Sequence, residues 1–232
     1  MIPLLASGCF ACTSNKIETE NHDTWCVVRQ SDGPEPTLEH LELLDKDNIR
    51  HMLVADVADA RTAAAWSNAV QAHCEKSRLG IPSNNSSDPR NYTNGTTNVN
   101  NYRPEPDGEF DPSGESNISK WPREVGMAAT FDMDIIRKHG EMVSEEYRAM
   151  GLTTALSPQI DIATDPRWRR FYGTFSEDPA LCRDIAQAYC DAFQTTPGSR
   201  KGWGLKSVNC MVKHWPGGGA GEGGRDALWI EE

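Results

Sequence analysis

Residues 157–179 read SPQIDIATDPRWRRFYGTFSEDP, and residues 213–219 read KHWPGGG. Each stretch follows a strand-like run and places charged, ring-bearing and glycine residues just past its end. In a β/α barrel the chemistry sits at that carboxyl rim, on the loops after the strands. Working outward, residues 153–157 and 208–213 (VNCMVK) are strand-like. Between them, Asp178 caps a helix with Pro179 in its first position, which runs to about Thr196. Upstream, residues 132–150 read as a helix with apolar positions Ile135, Met142, Val143, Tyr147 and Met150, ended by Gly151.

The first third of the chain repeats this alternation. Residues 37–45 (TLEHLELLD) set leucines at helical spacing behind a Thr37 cap. Residues 49–54 (IRHMLV) form a short buried strand. Residues 59–78 form an alanine-rich amphipathic helix, capped by Asp59 and stopped by Gly80, and 80–85 form a further strand. Strands alternating with helices predict an α/β fold with a parallel sheet. Residues 1–36 show no sustained period and read as a lead segment. Residues 37–232 then form the barrel-type domain, with an Asn-rich loop insertion at 86–120. A loop this long is often functional; the alternative is a solvent-exposed insertion with no role.

Composition narrows the function classes. The 23 basic against 34 acidic side chains give a net charge of -11. Nucleic acid and anionic membrane surfaces both need a basic face, so neither is an expected partner. The acidic surface otherwise serves solubility. No apolar run reaches transmembrane length, so no membrane insertion is expected. The opening MIPLLASGC lacks the basic stretch of a secretory signal. Asn84, Asn85, Asn91, Asn94 and Asn117 each begin an N-x-S/T triplet. These are glycan acceptors in a secretory compartment or chance products of an Asn-rich loop. The first alternative points to a secreted or extracytoplasmic protein. The seven cysteines are scattered, and the one close pair, Cys9 and Cys12, has no second pair to complete a zinc site. Neither a metal nor a cofactor is expected.

The polar residues at the rim suit a carbohydrate. Lys213 and His214 offer donors to sugar hydroxyls, and the glycines after them let backbone approach a ligand closely. A strand-end ion pair and a backbone-satisfied histidine explain the same two residues. The glycine run lacks the spacing of a phosphate-binding P-loop, which weighs against an unrelated α/β phosphate enzyme. In DPRWRR, one of Arg167, Arg169 and Arg170 is expected to serve the ligand and the others the loop. Trp168 either stacks on a pyranose or packs beneath the loop. Asp88 accepts hydrogen bonds from substrate hydroxyls or shapes a turn before Pro89.

These motifs together, with GGRDA at 223–227, resemble the N-terminal barrel domain of glycoside hydrolase family 3, over roughly residues 49–227. The resemblance implies a partial (β/α)8 TIM-type barrel. It also implies a β-glucosidase-type O-glycosyl hydrolase that removes terminal non-reducing β-D-glucosyl or related residues. The family's retaining mechanism uses an Asp nucleophile and a separate Glu acid/base. Carried over by motif, Asp88, Arg170, Lys213 and His214 are the expected substrate-binding residues. Two positions depart from the pattern: Arg169 replaces a glycine, and Gly173 stands where Glu is common.

The chain ends at Glu232, eighteen residues past His214, and neither Asp226, Glu231 nor Glu232 stands in a nucleophile motif. The expectation is therefore a C-terminally truncated chain with no catalytic residue of its own and no turnover of aryl β-glucosides. A non-catalytic carbohydrate-binding or regulatory protein on the same fold is the alternative. The family's amino-sugar branch places a catalytic His after the KH pair, and none follows His214 here.

Overall fold

The computed structural model describes residues 27–29, 33–56, 59–89, 91, 118–168, 170–196, 202–215 and 218–225. Five parallel strands form one sheet in the order β1-β2-β3-β4-β5. They are β1 (Val27–Arg29), β2 (His51–Asp56), β3 (Asn84–Ser87), β4 (Thr154–Ala155) and β5 (Asn209–Cys210). An uninterrupted sequential order is that of a singly wound β/α barrel, whereas a doubly wound sheet reverses partway. Bridges Gln159↔Lys213 and Ile162↔Gly219 prolong the β4–β5 pairing toward the rim. β1 lies inside the expected lead segment 1–36, so the sheet begins before residue 37.

The helices begin and end where their capping residues dictate. In α1 (Leu38–Lys46), Thr37 Oγ1 accepts from His40 N, and His40 Nδ1 accepts from Thr37 N. In α2 (Ala60–Lys76), Asp59 accepts from the amides of Arg61 and Thr62. A short α3 (Glu124–Ala128) precedes α4 (Met133–Met150), capped by Asp132. Gly151 closes α4 at φ 77°, and a Cβ there would meet Ser67 Oγ at 2.8 Å. Asp178 caps α5 (Pro179–Gln194) through Ala180 N.

The apolar faces of α2, α4 and α5 pack with the sheet into one core. It includes Met52 and Val54 of β2, Trp66 and Val70 of α2, Ile136, Val143 and Tyr147 of α4, and Ile185, Tyr189 and Phe193 of α5. The Tyr189 and Phe193 rings stack at 4.6 Å. Met142, an expected apolar position of α4, is exposed.

β3 is shifted from the expected strand 80–85 and takes in Ser86 and Ser87 from the expected loop 86–120. Its sequence is NNSS, yet Asn85, Ser86 and Ser87 are buried. Burial of polar groups requires partners. Ser86 Oγ donates to Met52 O (3.1 Å) and Ser87 Oγ to Val54 O (2.7 Å), while Asn85 Oδ1 accepts from Ser83 Oγ. The hydroxyls thus reinforce the ladder between β2 and β3.

Glu146 of α4 holds both Asn91 and Ser119. Asn91 Nδ2 donates to Glu146 Oε2 at 2.5 Å, and Ser119 N donates to Glu146 Oε1 at 2.7 Å. Trp121 N also donates to Asn91 O. Residues 92–117 lie outside the described residues, as do Asn94 and Asn117 of the N-x-S/T triplets. Of the other triplet asparagines, Asn85 and Asn91 are buried and Asn84 is bonded to Thr153 and Thr154. Burial or internal bonding therefore engages these three.

Candidate functional site

The ends of β3, β4 and β5 bring four expected residues and one unexpected one together. Asp88 follows β3 directly. Asp161 and Arg170 lie on the segment after β4. Lys213 and His214 follow β5 and are joined by a cis peptide bond. Lys213 Nζ forms an ion pair with Asp88 Oδ1, and both side chains are largely buried. His214 makes two bonds to Asp161: its backbone N donates to Oδ1 at 2.9 Å, and Nδ1 bonds Oδ2 at 2.7 Å. A carboxylate only accepts, so Nδ1 carries the proton. Nε2 then offers its lone pair toward Arg170 Nη2, 3.4 Å away.

Asp161 is the member that the motifs did not single out. Its side chain is only 2% exposed. Burial alone would raise its carboxyl, but the side-chain and backbone hydrogen bonds from His214, with the charge of Arg170, hold it below the usual range. The signal in sequence is the IDI run at 160–162, because a carboxylate between two apolar residues is costly to bury without a partner. Gly218 makes the arrangement possible. Its N donates to His214 O, and a Cβ there would fall against Asp161 Oδ1 and 2.7 Å from His214 Cβ.

The arginines separate by contact. Arg167 folds back on Asp165 through Nε and Nη2, an exposed local pair. Arg169 lies outside the described residues. Arg170 reaches the site from the N-terminal end of a 3-10 turn (Phe171–Gly173). The Tyr172 ring in that turn lies 4.1 Å beneath the Arg123 guanidinium. Gly173 is buried beside Gln159, whose Oε1 lies 3.3 Å from where a Cβ would be. Trp168 is 2% exposed, which excludes it as a stacking platform: it packs beneath the loop. Trp215 is the exposed aromatic of the rim, at 76%.

A cavity of about 480 Å³ opens beside this cluster, between residues 160–162, the first turns of α5 and His214–Trp215. Its walls are largely apolar. It touches Asp161 and His214 but not Asp88, Lys213 or Arg170, so it flanks the polar cluster.

A carboxylate, an ammonium, an imidazole and a guanidinium at one carboxyl rim match the motif pattern that the sequence presents. The family model of the glycosyl hydrolase family 3 N terminal domain matches residues 111–230. The chain belongs to glycosyl hydrolase family 3. Among curated relatives, a periplasmic β-glucosidase/β-xylosidase of Dickeya chrysanthemi is 40% identical over 164 residues, covering 71% of this chain and 23% of that protein. Beta-glucosidase C of Emericella nidulans is 37% identical over 186 residues, covering 80% of this chain and 28% of the relative. The chain thus spans about a quarter of the length of these relatives. A solved β-glucosidase from Erythrobacter marinus superposes with a TM-score of 0.57 at 26% identity, covering 76% of this chain and 21% of that one. The chain's fold is accordingly α/β with one parallel sheet, that of a partial barrel. Among the described residues, no cluster of metal-ligating side chains occurs and no helix is long and apolar enough to cross a membrane.

Proposed function

We propose that this chain supplies the sugar-binding side of a β-glucosidase-type active site, with Asp88, Arg170, Lys213 and His214 as substrate-binding residues. The observation that carries the reading is the convergence of these side chains past β3, β4 and β5. Asp88 accepts from sugar hydroxyls, while Lys213 and Arg170 donate. Asp161 fixes the orientation and tautomer of His214. In the whole protein these groups hold a terminal β-D-glucosyl or related β-glycosyl residue for cleavage by a retaining mechanism. Asp88 and Asp161 are each bonded to a cationic or N–H partner, which suits orientation of hydroxyls. The periplasmic description of the Dickeya relative supports a secreted or extracytoplasmic location.

Isothermal titration with D-glucose, D-xylose and inorganic phosphate tests this. The expected result is monosaccharide binding that Lys213→Met abolishes. Binding of phosphate in place of either sugar would overturn it, as would sugar binding unchanged by the substitution.

A further inference from the structure

Gln159 is only 6% exposed, and its Nε2 makes no hydrogen bond among the described residues. Two N–H donors withheld from water without an acceptor are costly. Their place in the fold gives that cost a use. Gln159 and Lys213 are partners in a parallel bridge: Ile160 N donates to Lys213 O at 2.9 Å, and Lys213 N donates to Pro158 O at 3.0 Å. Bridge partners present their side chains on one face of a sheet. On that face Lys213 Nζ reaches Asp88, which follows β3. The sheet order is β3-β4-β5, so this ion pair spans the continuation of β4 that carries Gln159. Gly173 approaches the same amide. Its N donates to Arg170 O at 3.0 Å, and a Cβ on it would stand 3.3 Å from Gln159 Oε1. The turn that delivers Arg170 therefore closes on Gln159 with no side chain between them.

We propose that Gln159 is a further sugar-binding residue, its Nε2 donating to one ring hydroxyl; this rests on the reading of the rim as a sugar site. In the free chain Asp88 and Lys213 bond each other across Gln159. A sugar whose hydroxyls take over those bonds draws the pair apart and brings an acceptor to the amide beneath it. A hydroxyl both accepts and donates, so one hydroxyl can take the Gln159 N–H and give its own proton to Asp88. An analogue lacking that hydroxyl leaves the buried donor unpaired, which makes Gln159 a determinant of specificity.

The test is calorimetry of the purified chain with D-glucose and its 2-, 3-, 4- and 6-deoxy analogues, repeated on Gln159→Met. Methionine keeps the length of the side chain and removes its donors. The substitution should weaken D-glucose about fivefold, the scale of one hydrogen bond, yet leave the affinity for one deoxy analogue unchanged. Equal weakening of every sugar, as a merely structural role would give, would overturn the proposal, as would no weakening at all. Urea unfolding without sugar gives a second readout. The midpoint of Gln159→Met should match or exceed that of the unaltered chain, because an unpaired donor is removed. A lower midpoint would mean that the amide is already bonded in the free chain, and the proposal would fall. Absence of glucose binding by the unaltered chain is a separate outcome: it would sink the sugar-site reading, and this proposal with it.

Discussion

His214 and Asp161 are joined twice, once through the backbone amide and once through the imidazole, across 53 residues of chain. One carboxylate thereby sets both the position of the loop after β5 and the ring tautomer that faces Arg170. Asp161→Asn keeps an oxygen for the amide but places an NH2 group against Nδ1–H, which favours the other tautomer or ring orientation. We expect D-glucose affinity, read by calorimetry, to fall about tenfold or more, the scale of a lost charge-assisted hydrogen bond. Unchanged affinity would remove Asp161 from the site.

Asp88 and Lys213 carry opposite charges with side chains only 14% and 16% exposed. Solvent therefore screens their attraction poorly, and each is costly to leave alone. Asp88→Asn and Lys213→Met should each destabilise the chain by about 3 kcal/mol in urea unfolding. The double variant should cost no more than either single one. Additive costs would mean that the two side chains do not couple.

His139 of α4 is buried between the rings of Trp121 (5.4 Å) and Tyr189 (5.7 Å). Burial lowers its pKa from 6.5 to about 4. Between those values the unfolded chain binds a proton that the folded chain refuses. Stability is then complete above about pH 6.5 and is lost as pH falls toward 4, by up to about 3 kcal/mol. The lowered Asp161 carboxyl adds its own loss only at still lower pH. Urea unfolding from pH 7 to 4.5 checks this: His139→Phe should flatten the slope by one proton, and an unchanged slope would assign the pH dependence elsewhere.

Helices were the legible part of the fold. Thr37, Asp59 and Asp178 announce their helices because a cap is a local interaction, readable within four residues. β3 was hard to place because its serines are buried by bonds to the next strand, and no local pattern encodes a partner over thirty residues away. The site divided in the same way. Asp88, Arg170, Lys213 and His214 stand in recognisable motifs. Asp161 acquires its role only when His214 folds back onto it, and Trp168 loses its alternative role once the loop covers it.

Glu146 gives the chain a neck. Because Asn91 and Ser119 are held by the same carboxylate, the two flanks of residues 92–117 are fixed at one point. The length of that segment is then uncoupled from the spacing of β3 and α4. Doubling the length of a chain closed between fixed ends costs only about 0.6 kcal/mol in closure entropy. The protein can therefore exchange this segment for a longer, shorter or chemically different one while the sheet behind it keeps its register.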